Sequence, residues 1–534
     1  MRLFCVWFAL GFGLWAAVPV GAREREPFPG AAGKWRRYQS PHFELFSQGS
    51  DFESRELLSN LELLRALFFG FFKFVEKQTA EVTVYYFNHE GDFDAYKTDT
   101  FRRNDNIASV YQADPDRSIL MMAPFPTFEA AQKLAFKSYV HHLFRLTGER
   151  PVPWFGYGVS ELFATMEIRS KEIIFGQPDP GVVQELRRER LMPLEALLAV
   201  DAGSSLFNDS DHSRLFYAQA WALVHYWWLG DSGLSREQLG RFEQYASQTQ
   251  GAYNASLTRA KFQEAAGLDY PEMNRRLDSY MNSGRYRMAK LPLPQIEPSG
   301  SYARSQLSRD EITERLAELA LRTNRSAYAK LTLLDVLNRR PDDIRTLEAL
   351  GAEALRDNEP EQAAARWEHA FSAGSRNPAV CQHLANIACQ GWFRQFDLYF
   401  RLQSATAEHL RALLLRSIEC APAQSTAYEN LAWVESAAPQ PSIANVNLVQ
   451  RHFAALDDKP RTLLALALVR LRMNDRDECA KLVSVLEQMH PTGAISWDAE
   501  VLRAYLEGRP PVQKAVRQVE PAPVTETIRL DPPH

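Results

Sequence analysis

The stretch F-K-S-Y-V-H-H, residues 136–142, sets Lys137, His141 and His142 on one predicted helix. Fifteen positions after His141 comes G-Y-G-V-S-E-L. The rhythm is that of a zinc-peptidase helix, H-E-x-x-H. There two imidazoles at i and i+4 share one face and one metal. The intervening glutamate activates the bound water as general base. A third protein ligand on a later helix leaves the fourth position open. Here the chemistry is largely replaced. Lys137 lies one turn from His141 on the same face, and its ammonium would repel a divalent cation. Ser138 cannot do the work of a carboxylate base without a base of its own. His142 points about 100° away from His141, so the two do not share an ion. Glu161, twenty residues after His141, leaves open a rearranged zinc site on His141 and Glu161, with His142, His225 and Glu167 as further candidates.

The elements that must position these residues are readable. H-F-E-L-F-S (42–47), V-T-V-Y-Y-F (82–87), A-S-V-Y (108–111) and S-I-L-M-M (118–122) read as short strands. Leu57, Leu58, Leu61, Leu64, Leu67, Phe68 and Phe71 space a helix over 52–75. Thr127 caps a helix to about Phe144, and two more are predicted over 155–168 and 212–229, the last stopped by Gly230. Tyr217, Trp221 and Trp228 share one face of that helix, as core residues do. L-P-L-P-Q-I-E-P-S-G marks a boundary, with 291–305 as linker.

Beyond it the apolar pattern repeats every 34 residues. Leu316, Ala317, Ala320, Ala329, Leu333 and Val336 recur as Leu350, Gly351, Ala354, Ala363, Trp367 and Ala370. A third copy fits at 463–491 through Leu466, Ala467, Cys479, Val483 and Leu486, and 379–458 holds a less regular pair. This is the pattern of tetratricopeptide repeats, which stack into a superhelix with a concave face.

The 534 residues carry 46% hydrophobic and 24% charged side chains and a formal net charge of −5. Those are globular proportions, and without a basic block nucleic acid is a poor partner. Met1-Arg2, the apolar run to Val20 and Val20-Gly21-Ala22 read as a signal peptide over 1–22, cleaved near Ala22. The rest has no apolar stretch long enough to span a bilayer, so an exported, soluble mature chain is expected. Residues 23–34 read as a linker, and 509–534 as a Pro-rich disordered tail. Cys381, Cys389, Cys420 and Cys479 remain after cleavage. Cys381 and Cys389 fall about 12 Å apart along a helix, beyond the ~7 Å a disulfide spans. All four are expected to be small buried residues.

Residues 35–290 resemble the bacterial exported peptidase MA-like (DUF1570-type) proteins of the gluzincin clan, which often carry tetratricopeptide repeats behind that domain. The resemblance is carried by W-x-x-x-x-S-P-H-F-E-L-F-S (35–47), A-S-V-Y-Q-A-D-P-D-R-S-I-L (108–120), K-S-Y-V-H-H-L (137–143), P-V-P-W-F-G-Y-G-V-S-E-L-F-A (151–164) and L-F-Y-A-Q-A-W-A-L-V-H-Y (215–226). It implies an α+β gluzincin-like domain, followed here by an all-α repeat solenoid over 306–508. Carried over position by position, the first histidine ligand falls on Lys137 and the base on Ser138. The second histidine falls on His141, the third ligand on Tyr157 and the supporting acid on Glu161. The resemblance therefore implies a pseudo-peptidase with no cofactor. Its location would be the periplasm or the medium, and its partner a protein or peptide held in the repeat groove. A metallopeptidase with zinc on His141 and Glu161, and a front domain that only caps the array, are the other readings. The oligomeric state is not encoded in any feature recognised above.

Overall fold

The computed structural model describes residues 28–509 apart from 73, 75, 77–81, 99–107, 125, 149–150, 202–203, 205–209, 231, 233–236, 238–254, 325 and 389–396. The segment read as a signal peptide, residues 510–534 of the expected tail, and Cys389 lie outside the described residues. The chain is mixed α+β: strands concentrate in the first half and helices fill the second.

A six-stranded sheet has the order β4-β5-β3-β2-β1-β9. Its strands are β1 (Arg36–Gln39), β2 (Phe43–Ser47), β3 (Val82–Tyr86), β4 (Ser109–Ala113), β5 (Ser118–Met122) and β9 (Ala303–Gln306). β2, β3 and β5 run parallel, and the other pairings are antiparallel. A smaller sheet joins β6 (Glu167–Ile168), β7 (Glu172–Phe175) and β8 (Ala289–Pro292). The helices of this half are α1 (Asp51–Phe72), α2 (Glu90–Asp94), α3 (Phe128–Leu146), α4 (Pro153–Ala164), α5 (Pro180–Arg188), α6 (Leu194–Leu198), α7 (Ser210–Trp228), α8 (Ala255–Ala266) and α9 (Tyr270–Ser283).

Side chains of a strand alternate between faces, and the two faces of the six-stranded sheet meet different helices. Val82, Val84, Tyr86, Leu120 and Met122 join the core of α1, α3, α4 and α7. Tyr85, Ile119 and Met121 join a second core with Ile312, Leu316, Leu319 and Leu347. Those four belong to α10 (Arg309–Asn324) and α12 (Ile344–Arg356), which with α11 (Ala327–Arg339) and α13 (Pro360–Ser372) begin the helical half. Burial on both faces explains why S-I-L-M-M is apolar throughout instead of alternating. The helical half continues with α14 (Pro378–Ala388), α15 (Ser404–Cys420), α16 (Ser425–Ala437), α17 (Ile443–His452), α18 (Lys459–Arg472), α19 (Arg476–Gln488) and α20 (Ala494–Leu506). Positions 34 apart are buried together: Leu316, Ala329 and Leu333, and 34 residues on Leu350, Ala363 and Trp367, all lie in the core, as do Ala317, Leu466, Ala467 and Cys479. A Cβ on Gly351 would collide with the Trp367 indole, so close helix approach requires glycine there.

Several expectations need correction. The segment read as a linker over 291–305 carries the end of β8 and most of β9. β9 was illegible because its side chains are all exposed, so it shows no apolar alternation. Phe28 and Ala31, within the expected 23–34 linker, are buried in the second core. The helix expected over 155–168 ends at Ala164, and Glu167 lies in a strand. Cys381 and Cys479 are buried, but Cys420 is only half-buried at the end of its helix. Among the described residues no helix is long and apolar enough to cross a membrane.

The β4–β5 turn, Asp114-Pro-Asp-Arg117, plugs into the helical half through charge. Arg322, with no exposed side-chain surface, donates to Asp116 at 2.7 and 2.8 Å and to Asp114 at 2.9 Å. Arg356, 34 residues on, donates to Asp114 at 2.9 Å, so equivalent arginines of two repeats hold one carboxylate. Arg117 donates to Glu348 at 2.8 Å, and Arg345 bonds both Glu318 and Glu44. Burial pushes the Asp116 carboxyl up, but Arg322 and Arg117 outweigh it and hold the group below the usual carboxylate range. The same arginines and Arg345 hold Glu318 far below it. Removing one member strands buried charge. Arg322→Met is therefore expected to lower unfolding free energy by about 3–5 kcal/mol, read from the urea midpoint. A change under about 0.5 kcal/mol would contradict this.

Candidate functional site

Thr127 accepts from the Ala130 amide at 3.2 Å and starts α3, which carries Lys137, Ser138 and His141. Pro153 opens α4, where its missing N–H costs nothing. α4 carries Tyr157 and Glu161 at i and i+4, the same spacing as Lys137 and His141. α7 closes the third side. A Cβ on Gly158 would stand 2.5 Å from the Ala220 carbonyl oxygen, so glycine alone lets α4 seat this closely on α7. That contact brings Tyr217 of α7 against Tyr157, with ring centroids 4.8 Å apart.

The expected positions do converge, and they engage one another. Lys137 Nζ lies 2.7 Å from Glu161 Oε1, an ion pair. Glu161 is 9% exposed at its side chain and Lys137 32%, so the pair is shielded on the glutamate side. The His141 imidazole meets the Tyr157 ring edge-on, with centroids 4.8 Å apart. Tyr157 and Tyr217 also share a hydroxyl hydrogen bond. Burial raises the Tyr157 phenol above its ordinary value, against that bond, so it stays protonated at neutral pH. Ser138, half-buried, follows Lys137 on the helix.

The other histidines are committed elsewhere. His142 turns into the core and its Nδ1 meets the Tyr111 hydroxyl at 2.5 Å. His225 donates from Nε2 to the Gly176 carbonyl at 2.8 Å and accepts from the Tyr280 hydroxyl at 2.7 Å. Glu167 bonds Arg169 and Gln177 in its own strand pair. Among the described residues no three His, Cys, Asp or Glu side chains converge as a metal cage requires. The donor set therefore does not fit zinc: one imidazole, one carboxylate already paired with an ammonium, and a neutral phenol. The geometry offers instead a mixed-charge cleft. A cavity of about 410 Å³ opens beside Lys137, walled by Lys133, Thr165 and Asp179. Lys133 bonds Asp179 at 3.3 Å across it. Tyr217 was read in sequence among the core aromatics of this helix, and helical spacing does not distinguish packing from lining a groove.

No family model matches the chain, and neither a curated protein nor a solved structure matches it.

Burial lowers His141 to about 4, and lowers His142 to about 3 with help from Arg145 and Arg65. Burial likewise takes His225 to about 4, against its bond to Gly176. Between these values and the unfolded ~6.5 the unfolded chain binds more protons than the folded one. Stability is then full above about pH 6.5 and falls as pH drops toward 4, by up to ~1.4 kcal/mol per pH unit for each histidine. Urea midpoints at pH 7.5 and 5 read this directly. Equal midpoints would contradict it.

Proposed function

We propose that the chain is an exported, non-catalytic member of the peptidase MA-like group. A gluzincin-like domain and a tetratricopeptide-type solenoid together act as a protein- or peptide-binding or assembly module in the cell envelope. The carrying observation is the Lys137–Glu161 ion pair at 2.7 Å. Under the resemblance, Lys137 stands where the first histidine ligand belongs and Glu161 where the supporting acid belongs. An ammonium there supplies locally the positive charge that a metal would otherwise bring, and it excludes the metal by repulsion. Among the described residues Ser138, at the base position, bonds no imidazole or carboxylate that could activate it, so peptide hydrolysis lacks its proton acceptor.

The helical half supports the binding role. Its buried 34-residue pattern suits stacked helix pairs, whose concave side takes extended or helical segments. A rearranged zinc site on His141 and Glu161 has weaker support, because Glu161 already engages Lys137 and His141 packs against Tyr157. The export reading rests on the N-terminal pattern, and the location it implies is the periplasm or the medium.

Metal content by mass spectrometry of the purified mature chain tests the reading. A metal-free native protein is expected, beside a Lys137→His, Ser138→Glu, Tyr157→Glu variant that gains about one zinc. Stoichiometric zinc in the native protein would overturn the non-catalytic reading.

A further inference from the structure

The ion cluster that joins the two halves borders a second cavity, on the opposite side of α3 from Lys137. It holds about 510 Å³, within the range of small-molecule sites. The β1–β2 turn, α1 and α3 form one wall, and α12 with the α13–α14 connection forms the other. Such junctions between structural units are where ligand sites concentrate. Five arginines line it: Arg37, Arg65, Arg117, Arg345 and Arg376, against three glutamates. Phe43 and Ile344 add an apolar floor.

The glutamates do not saturate the guanidiniums equally. Arg37 and Arg345 share the carboxylate of Glu44, Arg37 at 2.7 Å, while Arg345 also bonds Glu318 at 2.6 Å. Arg376 bonds Glu419 at 2.8 Å, but both side chains are more than half exposed, at 66% and 60%. A pair that open to water holds its arginine weakly. Arg37 is also partly open to water, at 43% exposed. Arg65 and Arg117, by contrast, are fixed: their side chains are 8% and 3% exposed. The cavity therefore sets two anchored guanidiniums deep inside and two movable ones at its mouth. Planar guanidinium forks match carboxylate and phosphate oxygens two at a time.

We propose that this junction cavity is a binding site for a small ligand carrying two or more oxyanion groups, carboxylate or phosphoryl, with a short apolar body. One anionic group meets Arg37 and Arg376 at the mouth. The other faces the deeper arginines between the sheet and α12. Bound there, the ligand bridges the two halves of the chain.

Isothermal titration of the full mature chain with citrate and, separately, with inorganic pyrophosphate tests this. One-to-one binding that weakens with added salt is expected from at least one of them. Citrate alone assigns carboxylates, pyrophosphate alone assigns phosphoryl groups, and both together assign oxyanions in general. The Arg37→Gln/Arg376→Gln variant changes only exposed side chains and leaves Glu44 with Arg345. It should weaken binding at least about tenfold at an unchanged far-UV spectrum. Arg376→Glu, which reverses one charge at the mouth, should do the same. The proposal is overturned if neither anion binds the native chain, or if both variants bind as tightly as it does.

Discussion

Arg322 sits at the centre of the molecule with its guanidinium wholly out of water, held by Asp116, Asp114 and Glu318. Everything else depends on that arrangement being complete. A buried guanidinium is costly to desolvate, and only several well-aimed carboxylates offset the cost. Those carboxylates come from two places: a hairpin turn of the sheet, and the first helix of the helical half. The fold can satisfy the arginine only by docking one on the other. The apolar surfaces follow the same demand, because the second face of β3 and β5 shares its core with α10 and α12. Charge fixes the register of the junction, and apolar area supplies most of its attraction.

The same logic of local pairing operates at the opposite end of α3. Lys137 and Glu161 hold α3 to α4, and the rings of His141, Tyr157 and Tyr217 extend the contact to α7. The contact rests on one ion pair and on edge-on and tilted rings. Among the described residues no three metal-donor side chains converge there. A mixed-charge cleft lies beside Lys137 and an arginine-rich cavity at the junction.

Much of this was legible in the sequence because it obeys strict periods. The strands at 82–87 and 118–122, the Thr127 cap and the 34-residue repeat all express geometry that repeats along the chain. What stayed hidden depended on contacts distant in sequence. β9 is a polar edge strand whose only reason to be extended is its pairing with β1. Asp114-Pro-Asp-Arg117 reads as an ordinary exposed turn until Arg322 and Arg356, more than two hundred residues later, bury it. The Pro-rich stretch near 291–305 signals a boundary by composition, whereas the structure threads it through both sheets. Composition reports local stiffness and polarity, and it is blind to a partner strand.

The claim that the two halves form one cooperative unit meets its most direct test in native-state hydrogen exchange followed by mass spectrometry. If the shared core and the buried ion cluster fuse them, peptides from β3 and β5 and peptides from α10 and α12 open together. Their opening free energies would then agree and fall in parallel with added denaturant. Peptides of α10 and α12 that exchange at a distinctly lower free energy, while the sheet stays protected, would contradict it and return the chain to two separately folded parts.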